Sequence, residues 1–180
     1  MADQALLEIL DHLRDQLVEG GWWDTTCIIA KVLGFSLVCA GLKGFTNRQG
    51  EPQRKIGTAS IIIGTLLFQF HKFLNILGNT ILGKSLPDSL WYMAESNSSQ
   101  AWTAYLSYSL VLIQFFGLWY VIKSLLMFRE IPRLGDAREG WKAFGHLMGG
   151  FLCVYMGDII HFVGNSIGGD IGNILTGITF

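Results

Sequence analysis

Asp158 and His161 stand three residues apart in an apolar run, so on a helix they share one face, and His146 precedes them in the same stretch. His71 and Lys72 hold a comparable late position in an earlier apolar run. An acid and an imidazole inside a membrane segment are the parts of a proton relay or the beginning of a metal site. Either use needs more: a metal needs a further aimed ligand, and a relay needs a water path. No HExxH, GxSxG or Walker-type pattern occurs in the chain. The expectation is therefore no catalytic residue and no metal ligand, with His71, Lys72, Asp158 and His161 as polar positions that pair with neighbours or sit near an interface. Cys27, Cys39 and Cys153 lack CxxC or Cys/His spacing and read as small apolar side chains, without a disulfide framework.

The elements that must carry these groups follow from composition. Of 180 residues, 51% are hydrophobic and 15% charged, with mean hydropathy +0.40. A soluble domain carries about a quarter charged residues, so a membrane is the natural solvent. The net charge of -1 supplies no global field for nucleic acid, and no direct sequence-specific nucleic acid binding is expected.

Four apolar stretches, Cys27 to Phe45, Ile56 to Leu82, Thr103 to Phe128 and Ala143 to Val163, each approach the roughly 20 residues a helix needs to cross a bilayer. The expected fold is an all-α membrane protein with about four transmembrane helices. Residues 1–21, with Leu6, Ile9, Leu10, Leu13 and Leu17 at helical spacing, read as an amphipathic N-terminal helix without the basic start of a cleavable signal. Trp22 and Trp23 suit the membrane interface. The remaining divisions are a first helical hairpin over 22–83, a polar outer loop over 84–102, a second hairpin over 103–163, and a Gly/Ile-rich helix or tail over 164–180.

Topology is read from the loops. One connection carries Arg48, Arg54 and Lys55, another Arg129, Arg133, Arg138 and Lys142, whereas the SNSSQ-containing connection between them has only Lys84. The positive-inside rule places the two basic loops in the cytoplasm and both termini in the periplasm of a bacterial inner membrane. Those seven cations equally suit lipid headgroups, or the lumen of a ring or tube. The halves also look alike: Gly34 and Phe45 match the spacing of Gly117 and Phe128, and Leu77-Gly78-Asn79 matches Val163-Gly164-Asn165. Each half reads as helix, basic loop, helix, giving two tandem units in parallel orientation. Gly145 and Gly149, Ser60 and Gly64, and the ladder Gly164, Gly168, Gly172 are candidates for close helix contact and assembly.

The four apolar helices, the acidic amphipathic start, the proline-containing basic loops, and the segments FHKFLNILGN and MGDIIHFVGNSIGG together resemble the TraQ-type membrane proteins of I-type conjugative plasmids, which are related to IcmC/DotE of type IVB secretion systems. The resemblance covers nearly the whole chain but rests on hydropathy and these segments, without a catalytic signature. It implies membership of a conjugative DNA transfer apparatus, with other apparatus proteins and membrane lipid as partners. Each half also resembles a two-helix conjugative pilin, in which a short basic loop faces the pilus lumen and phospholipid lies between subunits. The chain departs from that pattern in having two such units and no evident signal peptide, which bears on whether it leaves the membrane as an extracellular pilus. The expected function is thus a non-enzymatic, self-associating membrane subunit, in the inner-membrane complex or as a pilus or channel subunit. No cofactor is required, and structural phospholipid is allowed for. The competing class is a small polytopic transporter or proton-coupled membrane protein using His71, Asp158 and His161.

Overall fold

The computed structural model describes residues 9, 12, 21–46, 51–83, 101–134 and 136–167. The helices are α1 (Trp22–Thr46), α2 (Glu51–Phe68), α3 (Phe70–Ile81), α4 (Ala101–Leu134), α5 (Ala137–Val154) and α6 (Met156–Ile167). The fold is all-helical among the described residues. Two helices are long and apolar enough to cross a membrane, one over Trp22–Thr46 and one over Ser109–Arg133.

The expected second and fourth spans are not continuous. Helix α2 ends at Phe68 and α3 leaves it at 82°, so the pair qualifies only as a broken span or a re-entrant turn. The stretch from Ala143 to Val163 is likewise split at Tyr155 between α5 and α6. Neither break has a proline. Gln69 (φ -102°, ψ 34°) and Tyr155 (φ -97°, ψ 18°) simply leave helical geometry, in a region open to any residue. The Tyr155 hydroxyl donates to the Leu74 carbonyl at 3.1 Å, tying one break to the helix that follows the other.

The basic connections are also shorter than expected. Helix α4 runs through Arg129, Glu130 and Arg133 to Leu134, with Pro132 in its last turn, where its missing N–H removes the bond to the carbonyl four residues earlier. Asp136 then caps α5, its carboxylate accepting from the Arg138 N–H at 2.9 Å. In the first connection Pro52 occupies the first turn of α2, where its missing N–H would have had no helical partner. At the opposite end, Gly83 (φ +68°) follows α3 in the left-handed conformation common after a helix.

Packing repeats between the two halves. Helix α1 packs along α2 and α4 along α5; α3 rests on α1 and α2, and α6 on α4 and α5; the halves join through α2 and α4. Each hairpin closes on a facing glycine pair. A Cβ on Gly64 would lie 2.7 Å from the Gly34 carbonyl oxygen, and one on Gly150 would lie 2.7 Å from that of Gly117. Backbones this close exchange dispersion along their length, the source of helix affinity in a solvent as apolar as the side chains themselves. The shared core gathers Leu67, Phe70 and Leu74 from the first hairpin with Leu118, Ile122 and Tyr155 from the second.

Candidate functional site

The clearest polar construction joins the hairpins near their basic end. The Arg129 guanidinium donates from Nε to Ser60 Oγ at 2.9 Å, linking α4 to a serine that is buried on α2. A charge-assisted hydrogen bond to a buried hydroxyl is among the stronger polar contacts. Arg129 also lies 3.9 Å from Glu130.

The other cations of this end divide into paired and open groups. Arg133 approaches Glu130 at 3.8 Å, and Lys142 meets Glu139 at 2.6 Å. That carboxylate, by hydrogen bond and by charge, holds the Lys142 ammonium above its ordinary pKa, so it stays cationic throughout the physiological range. Arg54 lies over the Phe45 ring at 5.4 Å, and Lys55 and Arg138 are exposed. Arg48 lies outside the described residues. Because both hairpins turn back at the same end, Arg54, Lys55, Arg133, Arg138 and Lys142 crown one pole of the molecule.

Polar groups within the apolar length are treated locally. The hydroxyls of Thr26 and Thr65 donate to carbonyls four residues earlier in their own helices, which satisfies them without a partner across the membrane. Ser124 Oγ donates to the Ala143 carbonyl at 2.6 Å across the second hairpin. Gln114 is the exception: it is buried in α4, and neither its amide oxygen nor its nitrogen has a hydrogen-bond partner among the described residues.

The groups singled out for proton or metal chemistry are divided between two helices. His71 and Lys72 lie beyond the break, on α3 in the first hairpin; Asp158 and His161 lie on α6 in the second. His71 faces the Trp23 ring with centroids 6.3 Å apart, and Lys72 is exposed. His146 hydrogen-bonds the Lys142 carbonyl within α5 at 2.8 Å. Among the described residues, no three His, Cys, Asp or Glu side chains converge to hold a metal ion.

The glycines divide as well. Gly64 is in tight contact with α1, while Ser60 turns toward α4, so the two do not share a neighbour. Gly145 and Gly149 meet no atom within 4 Å. Gly164 belongs to α6, which runs past the expected boundary at 163, and Gly168 and Gly172 lie outside the described residues.

Between α1 and α4 lies an open groove lined by Leu33, Phe115, Phe116, Trp119, Ile122 and Leu126, together with Tyr120 and Lys123. Its walls are mostly apolar.

Sequence reasoning missed Gln114, Tyr155 and the Ser60–Arg129 link. A repeat-based signal for the first was present: the shift of 83 residues that carries Gly34 onto Gly117 carries Lys31 onto Gln114. Comparison of the chain with known protein families, with curated proteins and with solved structures finds no match.

Proposed function

We propose that this chain is a non-enzymatic, self-associating integral membrane subunit, and that it serves in a conjugative DNA transfer or type IVB secretion apparatus. The observation that carries the membrane-assembly part is the exterior of the hairpins. Large apolar side chains face outward along α1, α4 and α5, including Val32, Phe35, Phe116 and Leu152, while the cations collect at one pole. Contiguous apolar surface of that extent belongs in lipid or against protein.

In this reading α1, α2, α4 and α5 are the legs that cross the bilayer, with the basic pole cytoplasmic and both termini periplasmic. Helix α2, at 18 residues, is about 27 Å long, close to the bilayer core of about 30 Å. Helices α3 and α6 then turn along the outer interface. Helix α3 suits that place, burying Phe70, Leu74 and Gly78 while exposing Lys72, Asn79 and Thr80. Lipid acyl chains fill the groove between α1 and α4, and the basic pole meets phospholipid headgroups. The transfer-apparatus part rests on the resemblance carried by FHKFLNILGN and MGDIIHFVGNSIGG, with other apparatus proteins as partners.

Two measurements test the two parts. The protein should remain in the membrane pellet after carbonate extraction and run as an oligomer on native gels of gently solubilised membranes. Deleting its gene from a donor should abolish plasmid transfer, and expression in trans should restore it; undiminished transfer would refute the apparatus assignment.

A further inference from the structure

The internal repeat identifies a surface for a second copy of this chain. A shift of 83 residues carries α1 onto α4, and a shift of 86 carries Gly64 onto Gly150 and the break at Gln69 onto that at Tyr155. Helices α2 and α5 then coincide over 18 residues each, and α3 and α6 over 12.

The joint between hairpins uses one face of α4, formed by Leu118, Ile122 and Leu125, which are 1%, 1% and 3% exposed, and continued beyond α2 by Val111, 1% exposed in a separate cluster with Trp22, Met156 and Ile160. Their counterparts on α1 are Phe35, Cys39 and Leu42, with Ile28 for Val111. Ile28, Phe35 and Leu42 are 58%, 63% and 53% exposed, and Cys39 is exposed too. On the other side of the joint, α2 contributes Ser60, Ile63 and Leu67, all buried. Their counterparts on α5 are His146, Gly149 and Cys153; Gly149 is exposed with nothing within 4 Å, and the other two are half-buried. The molecule therefore shows the α1 half of its own joint open and the α5 half partly covered, with His146 beside the Tyr120 ring and Cys153 against Gly117 of α4.

We propose that α1 of one copy docks on α5 of another, repeating between chains the contact that α4 makes with α2 within the chain. This rests on the reading of the protein as a self-associating membrane subunit and gives that association its surfaces. The contact joins two different faces, so each copy keeps one of each free. It propagates head to tail, closing into a ring if the rotation allows and otherwise extending as a filament. The choice of a second copy over another occupant follows from continuity: the face on α1 has the pattern of a face that α2 already covers, and α5 is the repeat of α2.

Within the chain, Arg129 of α4 meets Ser60 of α2; α1 runs antiparallel to α2, Gly34 facing Gly64 and Gly41 facing Gly57, and parallel to α4, Trp22 lying by Phe115 and Leu33 by Ile122 and Leu126, so α4 and α2 run antiparallel. Seven residues along each, two helical turns, Ile122 comes level with Leu67. Both belong to the shared core. Their counterparts are Cys39 and Cys153, both free thiols. Cys39 of one copy should thus stand opposite Cys153 of the next. Within one chain α1 and α5 do not pack on each other.

The test uses the full-length protein in its membrane, with Cys27→Ala to remove the third thiol, oxidised with copper phenanthroline. The expected result is a reducible ladder of dimers, trimers and higher species that is lost with Cys39→Ser and with Cys153→Ser. Co-expression of those two variants, each with its own tag, should give mixed dimers and nothing longer. Three outcomes overturn the proposal: a ladder that either single variant retains, an internal disulfide that shifts only the monomer, or protection of Cys39 from maleimide in the solubilised monomer, which would mean the chain's own N-terminal segment covers α1. Oligomers on native gels without any Cys39–Cys153 cross-link would reject this surface and leave the assembly reading intact. A monomer on native gels without cross-links would reject both.

Discussion

Replacing Gly150 or Gly149 by alanine changes two adjacent residues of one helix by the same single methyl group, yet their surroundings demand opposite results. At Gly150 the new Cβ would sit 2.7 Å from the Gly117 carbonyl oxygen and 2.9 Å from the Val121 nitrogen, both backbone atoms that no rotamer change can move. Ordinary contact begins near 3.4 Å, so α4 and α5 must part by about 0.7 Å, a gap that forfeits a quarter to a half of each dispersion contact along the seam. Overpacking of this kind costs about 1–3 kcal/mol, against a gain of about 1 kcal/mol from replacing glycine in a helix. Gly150→Ala should therefore destabilise the protein by up to about 2 kcal/mol. At Gly149 nothing lies within 4 Å, so only the propensity gain remains, and Gly149→Ala should stabilise the monomer by up to about 1 kcal/mol. Thermal melts of monodisperse, detergent-solubilised protein, followed by circular dichroism, compare the two. A midpoint in Gly150→Ala equal to or above that of Gly149→Ala would refute the assignment of the close glycine contact to Gly117 and Gly150.

Removing the Arg129 side chain leaves the buried Ser60 hydroxyl without its partner and should cost about 1–3 kcal/mol; in a double-mutant cycle with Ser60→Ala the two changes should be strongly non-additive, and simple additivity would deny the link. Gln114→Leu replaces a buried amide that lacks partners with carbon of similar size and should raise the melting midpoint by the equivalent of about 1–3 kcal/mol, whereas a marked fall would mean that the amide is satisfied in the assembled protein. In a cysteine-free background, a cysteine at Ser98 should react with an impermeant thiol reagent added from outside, while cysteines at Gln49 and Gly135 should not; the reverse pattern would invert the proposed topology.

The parts of this fold that could be read from the sequence are those written in residue type at fixed spacing. Gly34 and Gly117, matched by spacing, each close on a glycine of the facing helix, Gly64 and Gly150. The breaks at Gln69 and Tyr155 were not legible, because hydropathy runs straight through them and neither residue is a breaker. The contact that joins the two breaks is tertiary, the Tyr155 hydroxyl reaching a carbonyl 81 residues away in sequence, and spacing along the chain does not encode it. The glycine patterns show the same limit. Gly145 and Gly149 form the motif that spacing rewards, yet a Cβ at either would meet nothing within 4 Å among the described residues. Gly34 and Gly117 lack a glycine four residues on but fit closely, because their partners Gly64 and Gly150 lie on the facing helix. Spacing along one helix shows which residues share a face, not which face is covered.

The unequal fates of repeated positions carry the functional argument further than any single residue. Lys31 and Gln114 are related by the same shift of 83 residues, one exposed with a charge, the other buried with an amide that has no hydrogen-bond partner among the described residues. A cation facing lipid within a bilayer span costs several kcal/mol unless it reaches water, headgroups or an acceptor. Within its own repeat, the position of Lys31 lies on the face that in the second unit is closed by the neighbouring hairpin. If a further hairpin covers α1 in the same way, Lys31 is withdrawn from lipid and the apolar positions beside it, Ile28 and Phe35, reach the burial already attained by Val111 and Leu118. A duplication that merely doubled a self-contained hairpin would favour lipid-compatible residues at both copies of this position. Polar groups at both fit a face built to be covered, once inside the chain and once between chains.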